Sequence, residues 1–315
     1  MAAYLASLNP AALLRVWPGD IAQGLVWGIM ALGVYMTFKI LNFADLTVDG
    51  SIATGGAVCV MLLAAGCNPG VALVAATLSG VVCGMVTGIL HTVLGIPDIL
   101  AGILTQIALY SINLNIMGKA NQSFNVSSTV VLISSGKITM AIVVGAIFCA
   151  VLIGLLYWYF GTEQGSAIRA TGCNPNMARA QGVNTDLMKV ITLALSNGLV
   201  ALAGGMISQY QGFADVNMGR GSIVIGLAAV IIGDVLCTAI FHKHLNFLLK
   251  LIFTVLGAII YYIVYGFVLW LKFPSDDMKL LTAIVVAIFL SVPYLKGKYF
   301  SKPVSAAKKE EKNHA

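Results

Sequence analysis

The sequence contains a series of apolar blocks, each about 20 residues long, separated by mostly short polar stretches. A helix needs about 20 apolar residues to cross a hydrocarbon core of roughly 30 Å. Hydrophobic residues make up 59% of the 315 residues and charged residues only 10%, whereas soluble domains carry about 25% charged residues. The sequence therefore predicts an all-α, polytopic membrane protein, because a helix satisfies its own backbone hydrogen bonds in lipid.

Nine membrane segments are predicted from the positions of these blocks. They lie at 20–40, 52–66, 70–91, 98–117, 138–160, 188–211, 221–239, 248–271 and 278–294. A polar loop at 161–187 divides the membrane domain into halves at about 20–160 and 188–294. The other predicted boundaries are 1–19 for an N-terminal segment, 20–294 for the whole membrane domain and 295–315 for a polar, basic tail.

The net charge of +6 lies largely in the tail, where a cationic segment suits an anionic lipid surface. This pattern predicts contact with membrane lipid and gives no indication of nucleic acid. If the tail is cytoplasmic, the loop 161–187 is cytoplasmic too, and nine crossings place the N-terminus outside. Lysine and arginine favour cytoplasmic loops, but here that bias supports this orientation only when the tail lysines are counted. The six cysteines are scattered without a CxxC pair, which indicates apolar packing and predicts no metal site.

Two similar stretches follow the first and the sixth predicted segments. Asn42–Ile52 and Gly212–Ile223 both contain an aromatic residue followed by Ala-Asp, and both end in Gly-Ser-Ile at the start of a glycine-rich helix. An odd number of predicted crossings separates the two copies, so the halves are expected to be inverted relative to each other. Inverted repeats with helices interrupted at matching places are typical of transporters. The alternative is chance similarity between helices that are rich in small residues.

Polar side chains near these interruptions are the candidate residues for a translocation path. Ionisable groups inside a membrane are costly and usually functional, and unwound backbone can line a cavity. Alternatively, Asp45 and Asp215 only cap helices, and the two roles are compatible. Gln106, Tyr110 and Asn113 are spaced to share one helix face, which meets either the solute path or a neighbouring helix. The candidate path residues are Asn42, Phe43, Asp45, Thr47, Asp49, Ser51, Gln106, Tyr110, Asn113, Phe213, Asp215 and Ser222.

A ridge of small residues on the third segment predicts close helix packing. Gly80, Gly84 and Gly88 recur every four residues, and such spacing lets another helix approach closely. The sequence leaves open whether that neighbour belongs to the same chain or to a second copy.

The loop at 161–187 is predicted to contain a short, capped helix. Asn174 can cap its start, Pro175 suits the first helical position, and Gly182 can end it in a left-handed conformation. The predicted helix covers Pro175–Gln181 and lies outside the bilayer. Ala178 on its middle turn is expected to face outward to a partner, because its small side chain permits close approach. An exposed helix of this kind suits docking to a partner protein, and an ordinary surface loop is the alternative.

The stretch Gly165–Asn184 resembles the cytoplasmic coupling segment of permeases in the branched-chain amino acid and ribose importer superfamily. Those segments follow a pattern of the type G-x-A-x-R-A-x-G-x-N-x-x-A-A-x-x-x-G-I-N, and here Arg179 stands where the second alanine is usual. Leu41–Asp45 is similar to the family's I-N-F-A-x block, and Ala44–Ser51 resembles a subgroup whose lipoprotein partners bind aromatic amino acids. The resemblance covers roughly 20–295.

The resemblance implies the permease subunit of an ATP-binding-cassette importer in the bacterial plasma membrane. Two permease copies would form the pore, two ATP-binding subunits would dock from the cytoplasm, and an external substrate-binding lipoprotein would deliver a small organic solute, foremost an aromatic or branched-chain amino acid. ATP and magnesium would bind the partner subunits, since this chain has no GxxxxGK[ST] phosphate loop. The residues implied to couple the permease to its ATPase are Gly172, Asn174, Pro175, Met177, Ala178, Arg179, Gln181 and Gly182.

Two other functions are considered beside the importer. A secondary transporter would use the inverted repeat, with Asp45 or Asp215 coupling solute movement to an ion gradient. A membrane-embedded enzyme is disfavoured, because no Ser/His/Asp or Cys/His set emerges from the sequence. The capped helix discriminates between the two transporter hypotheses, because an importer needs a docking surface for its ATPase and a secondary transporter does not.

Overall fold

In a computed structural model of the protein, the structure describes residues 10–125, 129–241 and 246–270 and the isolated positions 280, 283, 284, 287 and 291. Within these residues the chain forms ten α-helices and one pair of short strands. The helices are α1 (Pro10–Tyr35, extended by a π-helical turn at Met36–Ile40), α2 (Val48–Ala64), α3 (Pro69–Thr92), α4 (Asp98–Met117), α5 (Ile138–Phe160), α6 (Glu163–Cys173), α7 (Pro175–Ala180), α8 (Thr185–Gln211), α9 (Ser222–Ile240) and α10 (Phe247–Trp270), and the strands are β1 (Asn121–Ser123) and β2 (Phe213–Asp215).

Seven of these helices are long and apolar enough to cross a membrane, namely α1, α3, α4, α5, α8, α9 and α10. The prediction of an all-α, polytopic membrane protein is thereby confirmed. The helix α2 is apolar as well, but its 17 residues fall short of the roughly 20 that span a bilayer. The ninth predicted segment, 278–294, lies outside the described residues apart from isolated positions, and the tail 295–315 lies wholly outside them.

Several helices begin before their predicted apolar blocks, and the difference is largest for α1 and α2. The helix α1 already includes Pro10, ahead of the predicted start at 20. The Ala-Ala-Leu-Leu run that follows Pro10 consists of strong helix formers, so the segment assigned to an N-terminal extension continues the helix instead. The helix α2 begins at Val48 instead of 52, because its first turn is more polar than its apolar body and is held by partners that are distant in the sequence.

The helix α8 lies at the centre of the fold, and the glycine ridge of α3 packs against it. A Cβ atom at Gly80 would overlap the carbonyl oxygen of Asn197, and one at Gly84 would overlap that of Leu193. Only glycine therefore permits this spacing between the two backbones. The ridge thus packs within one chain, which answers the question that the sequence leaves open.

A short antiparallel strand pair joins two loops at one end of the helix bundle. Strand β1 follows α4, strand β2 follows α8, and Gln122 pairs with Ala214 at the centre of the register. Three-residue strands between membrane helices have no clear sequence signal, and the pair is not predicted by the sequence. It fixes the stretch Phe213–Asp215, which belongs to the second copy of the internal repeat.

Candidate functional site

The chain turns sharply between α1 and α2, at the first copy of the repeat. Asn42 adopts a left-handed conformation with φ 56°, which asparagine tolerates better than most residues. The backbone N–H of Phe43 donates to the carbonyl of Thr37 at 2.9 Å. Next to it, a carboxylate oxygen of Asp45 accepts from the backbone N–H of Thr47 at 2.9 Å. These hydrogen bonds stabilise the turn, and α2 begins directly after it with a buried first residue, Val48.

The second copy of the repeat has the same local geometry. Gly212 occupies the position of Asn42 and has φ 83°. A carboxylate oxygen of Asp215 accepts from the backbone N–H of Asn217 at 2.7 Å, as Asp45 does for Thr47. The matching backbone and side-chain geometry at equivalent positions supports a structural repeat over chance similarity.

A single asparagine of α8 binds both the first interruption and the first turn of α2. The fully buried side chain of Asn197 lies near the middle of α8. Its amide nitrogen donates to Asp45 at 2.7 Å and to the carbonyl of Leu193 at 3.0 Å, while its amide oxygen accepts from Ser51 at 2.6 Å. Asp45 is only 2% exposed, and each of its two oxygens has a donor. We call Asn197, Asp45 and Ser51 the asparagine clamp.

A chain of hydroxyl groups extends from the clamp into α3 and α4. Thr47 and Thr87 share a hydrogen bond of 2.7 Å between their hydroxyl oxygens, and Thr87 donates to Thr105 at 2.9 Å. All three side chains are buried. Beside the clamp, the ring of Phe43 packs edge-on against His91 with 5.1 Å between centroids. Thr47, Ser51 and Phe43 are therefore packing residues that surround the first interruption.

Asp49 connects the start of α2 to the start of α9. Its carboxylate accepts three hydrogen bonds, from the backbone N–H groups of Gly221 and Ile223 at 2.9 Å each and from the hydroxyl of Ser222 at 2.8 Å. The first N–H groups of a helix have no partner within the helix. A negative charge there also interacts favourably with the positive end of the helix dipole. Asp49 thus caps a helix that belongs to the other half of the chain.

A cavity of about 350 Å³ opens between α2, α4 and the segment that precedes α9. Gln106, Tyr110 and Asn113 line it together with Asp49, as the helical spacing of the polar stripe predicts. Asn113 is 1% exposed, and neither its amide oxygen nor its amide nitrogen has a hydrogen-bond partner among the described residues. An unpaired buried amide is unusual and needs an explanation, and a polar ligand in this cavity would supply one.

The other predicted path residues lie away from this cavity. Asp45 is enclosed in the clamp, while Phe213 and Asp215 lie in strand β2, where Asp215 receives a second, longer contact of 3.4 Å from Asn121. Ser222 is buried against Asp49. The structure therefore brings Asp49 together with the α4 stripe around one cavity and uses the remaining predicted residues to position the helices around it.

The predicted capped helix in the loop 161–187 is present as α7. The side chain of Asn174 accepts from the backbone N–H of Met177 at 3.0 Å, Pro175 is the first helical residue, and Gly182 has φ 84° after the helix ends. The predicted cap, first residue and stop are confirmed, and the helix ends at Ala180, one residue earlier than predicted. Its role in docking stays a prediction.

The expectation that Ala178 faces outward is wrong. Its side chain is 4% exposed, whereas that of the preceding Met177 is 60% exposed. One turn of a helix has only one outer face, and here α7 directs Ala178 toward its own chain. Met177 is the apolar side chain that the described structure offers to a partner on this turn.

Further contacts attach α7 and α6 to the membrane helices. The guanidinium of Arg179 donates to the hydroxyl of Thr185 at 3.0 Å and pairs with Asp186 at 3.2 Å, both in the first turn of α8. Gly172, in α6, lies against the backbone of Ile40, where a Cβ atom would overlap the carbonyl oxygen. The segment 161–187 thus contacts both α8 and the chain just before the first interruption, while Gln181 is exposed.

Two functional candidates, Asn197 and Arg220, were not predicted from the sequence. Of these two, Arg220 lines the cavity. Asn197 lies in the middle of a helix made largely of small and apolar residues, and an amide at that position was the available signal. In the sequence Arg220 is recognisable only as a charged residue near a predicted loop. The sequence does not show that the chain before α9 turns back toward Asp49. Among the described residues no group of three His, Cys, Asp or Glu side chains could hold a metal ion.

Interrupted helices beside a cavity that carries polar side chains are typical of membrane solute transporters. Residues 21–291 match the family profile described as the branched-chain amino acid transport system / permease component. The chain belongs to this family and is the permease component of an ABC-type importer, a multi-pass protein of the inner membrane.

Two individual relatives are also permease proteins of transporters. The tyrosine transport system permease protein of Clostridioides difficile (strain R20291) is 39% identical over 272 residues, which cover 86% of this chain and 89% of the relative. The galactofuranose transporter permease protein YtfT of Escherichia coli (strain K12) is 29% identical over 176 residues, or 55% of this chain and 50% of the relative. No solved structure matches the chain with significance.

Proposed function

We propose that this permease imports an aromatic amino acid, foremost tyrosine, through the cavity beside Asp49. The cavity carries this proposal, because the unpaired amide of Asn113 lies with Asp49, Gln106 and Tyr110 around a half-open space between α2, α4 and the segment before α9. Its volume of about 350 Å³ is at the lower end of the range for small-molecule sites. The relative from Clostridioides difficile, named for tyrosine transport, supports the choice of solute.

The proposed complex contains two copies of this permease, two ATP-binding subunits and an external binding lipoprotein. ATP and magnesium bind to the partner subunits in this proposal, because the chain has no phosphate loop of its own. The basic tail and the loop 161–187 lie on the cytoplasmic side, where the ATP-binding subunits reach α7. An ABC-type permease needs such a surface, since the free energy for transport arises on another chain.

The proposed mechanism transmits movement from α7 to the cavity through α8. Arg179 ties α7 to the first turn of α8, so a displacement of α7 also shifts α8. Asn197 of α8 holds both Asp45 and Ser51, so the start of α2 follows. Because Asp49 lies in that first turn and caps α9, the two helix starts beside the cavity move together.

Uptake of radiolabelled L-tyrosine by vesicles that contain the complete transporter tests this function. We expect uptake to require ATP and to stop when the phosphate-loop lysine of the ATP-binding subunit is replaced by alanine. Uptake should persist when a protonophore removes the proton gradient, provided that ATP is supplied. If uptake occurs without the ATP-binding subunit and the protonophore abolishes it, the result supports the secondary transporter instead. ATP-driven uptake of a sugar, with no uptake of any amino acid, would contradict the proposed solute.

A further inference from the structure

We propose that Arg220 binds the carboxylate of the solute and makes the cavity selective for amino acids over amines and neutral sugars. This inference rests on the proposed function and names a residue that determines its specificity. Arg220 directly precedes the Gly-Ser-Ile of the second repeat, and Asp49 directly precedes the Gly-Ser-Ile of the first. Both line the same cavity, so the repeat provides a positive and a negative side chain at equivalent positions.

The guanidinium of Arg220 is available for a ligand. The backbone N–H of Arg220 donates to the carbonyl of Asn217 at 3.0 Å, which fixes the turn. Its side chain makes no hydrogen bond or ion pair with any residue that the structure describes. Asp49 does not neutralise it by a direct bond, because the Asp49 carboxylate is engaged by the first N–H groups of α9. Arg220 is exposed, so its guanidinium is accessible to a ligand that enters the cavity.

Asn113 independently indicates that the cavity takes a polar ligand. Its amide is 1% exposed, has no partner within the described part of the chain, and lines the cavity with Arg220. An amide provides both donors and an acceptor, and an arginine presents parallel donors that match a carboxylate. Together with the negative charge of Asp49, which lines the same cavity, this set of groups fits a zwitterion better than it fits an uncharged sugar.

Arg220 also borders a second cavity, of about 590 Å³, on its other side. The wall of this second cavity includes Trp27, Tyr261, Tyr262 and Tyr265. Aromatic side chains stack favourably with an aromatic ring. An aromatic amino acid that passes between the two cavities therefore keeps its carboxylate within reach of one guanidinium.

Binding to the purified permease in lipid nanodiscs tests the inference without its partners. The two probes are L-tyrosine and tyramine, which has the same ring and amine but no carboxylate. Wild-type permease should bind L-tyrosine roughly tenfold or more tightly than tyramine, because a charge-assisted hydrogen-bond pair is lost with the carboxylate. Arg220→Gln should bind both probes with the affinity that the wild type has for tyramine, and Arg220→Lys should retain part of the difference. Lys119→Gln removes an exposed cation of the loop before β1 and should leave the preference intact.

Removal of the ligand carboxylate and replacement of Arg220 form a thermodynamic cycle. If the two groups are in contact, their effects on the binding free energy are not additive. If Arg220→Gln still prefers L-tyrosine as the wild type does, or if the wild type shows no preference, the inference is overturned. ATP-dependent tyrosine uptake by vesicles would in that case leave the proposed function standing. If neither binding nor uptake of any amino acid is detected, the proposed function falls together with the inference.

Discussion

The carboxylates of Asp45 and Asp215 occupy equivalent positions in the repeat but have different surroundings. Asp45 is buried, and its two oxygens serve two donors, Thr47 and Asn197, at 2.9 and 2.7 Å. Asp215 is less buried and serves Asn217 at 2.7 Å, while its second contact, to Asn121, is long at 3.4 Å. At both positions the carboxylate accepts from the backbone N–H two residues further on, which is an Asx turn and not a helix cap. The difference between the two residues therefore lies in the clamp to α8.

Replacement of each aspartate by asparagine separates the local turn from the clamp. Asparagine forms the same turn as aspartate, but it has a single acceptor oxygen, so Asp45→Asn leaves one donor unpaired or places two amide NH₂ groups against each other. A buried unsatisfied group costs about 1–3 kcal/mol. We expect Asp45→Asn to lower the thermal stability and the tyrosine uptake of the permease, and the matched variant Asp215→Asn to retain both. Equal behaviour of the two variants would contradict the role assigned to the clamp.

The polar stripe of α4 could be predicted from sequence, whereas the clamp could not. Gln106, Tyr110 and Asn113 are close in sequence, so helical spacing alone places them on one face. The bonds of Asn197 to Ser51 and Asp45 join residues 146 and 152 positions apart. No local pattern encodes such a pairing, because it depends on how the helices pack.

At the scale of elements, the cap residues of α7 define its length and the packing of α6 and α8 defines its outer face. The Asn174 cap and the left-handed Gly182 follow from local chemistry and were predictable from the sequence. Which side of the helix faces outward depends on tertiary contacts, and this explains why Ala178 was wrongly expected to be exposed. Docking therefore has to be tested at Met177.

Met177→Glu and Ala178→Glu place the same charge on neighbouring positions with opposite exposure. Met177 is 60% exposed, so the first change should leave folding intact and weaken co-purification of the ATP-binding subunit about tenfold or more, as expected for an apolar anchor at an interface. Ala178→Glu buries a carboxylate and should lower the free energy of unfolding by about 2 kcal/mol or more.

Met177→Leu, which keeps an apolar side chain, is the control and should retain the complex. The measurements are the yield of monodisperse permease, its thermal unfolding and the amount of ATP-binding subunit that co-purifies. Normal docking by a well-folded Met177→Glu permease would show that this turn of α7 is not part of the interface.

For the whole molecule, the apolar composition of the membrane segments determines where most helices lie. Tertiary packing determines the remaining boundaries. The predicted segments 98–117 and 138–160 coincide with α4 and α5, because residence in hydrocarbon selects apolar residues along the whole span. The start of α2 was not predictable in the same way, since Asp49 in its first turn bonds to Gly221, Ser222 and Ile223. These contacts join the two halves beside the cavity.

If events at α7 change the cavity, the accessibility of a cysteine in the Tyr110→Cys variant measures that change directly. Tyr110 lines the cavity on α4 and is distant in sequence from α7. The variant is made with Cys67 and Cys173 replaced by alanine, because the other four cysteines are buried. In the assembled transporter, the rate of labelling by a membrane-impermeant maleimide should change roughly fivefold or more when ATP is hydrolysed, and Met177→Glu should abolish that change. A labelling rate that is the same with and without ATP, or a change that survives Met177→Glu, would contradict the account.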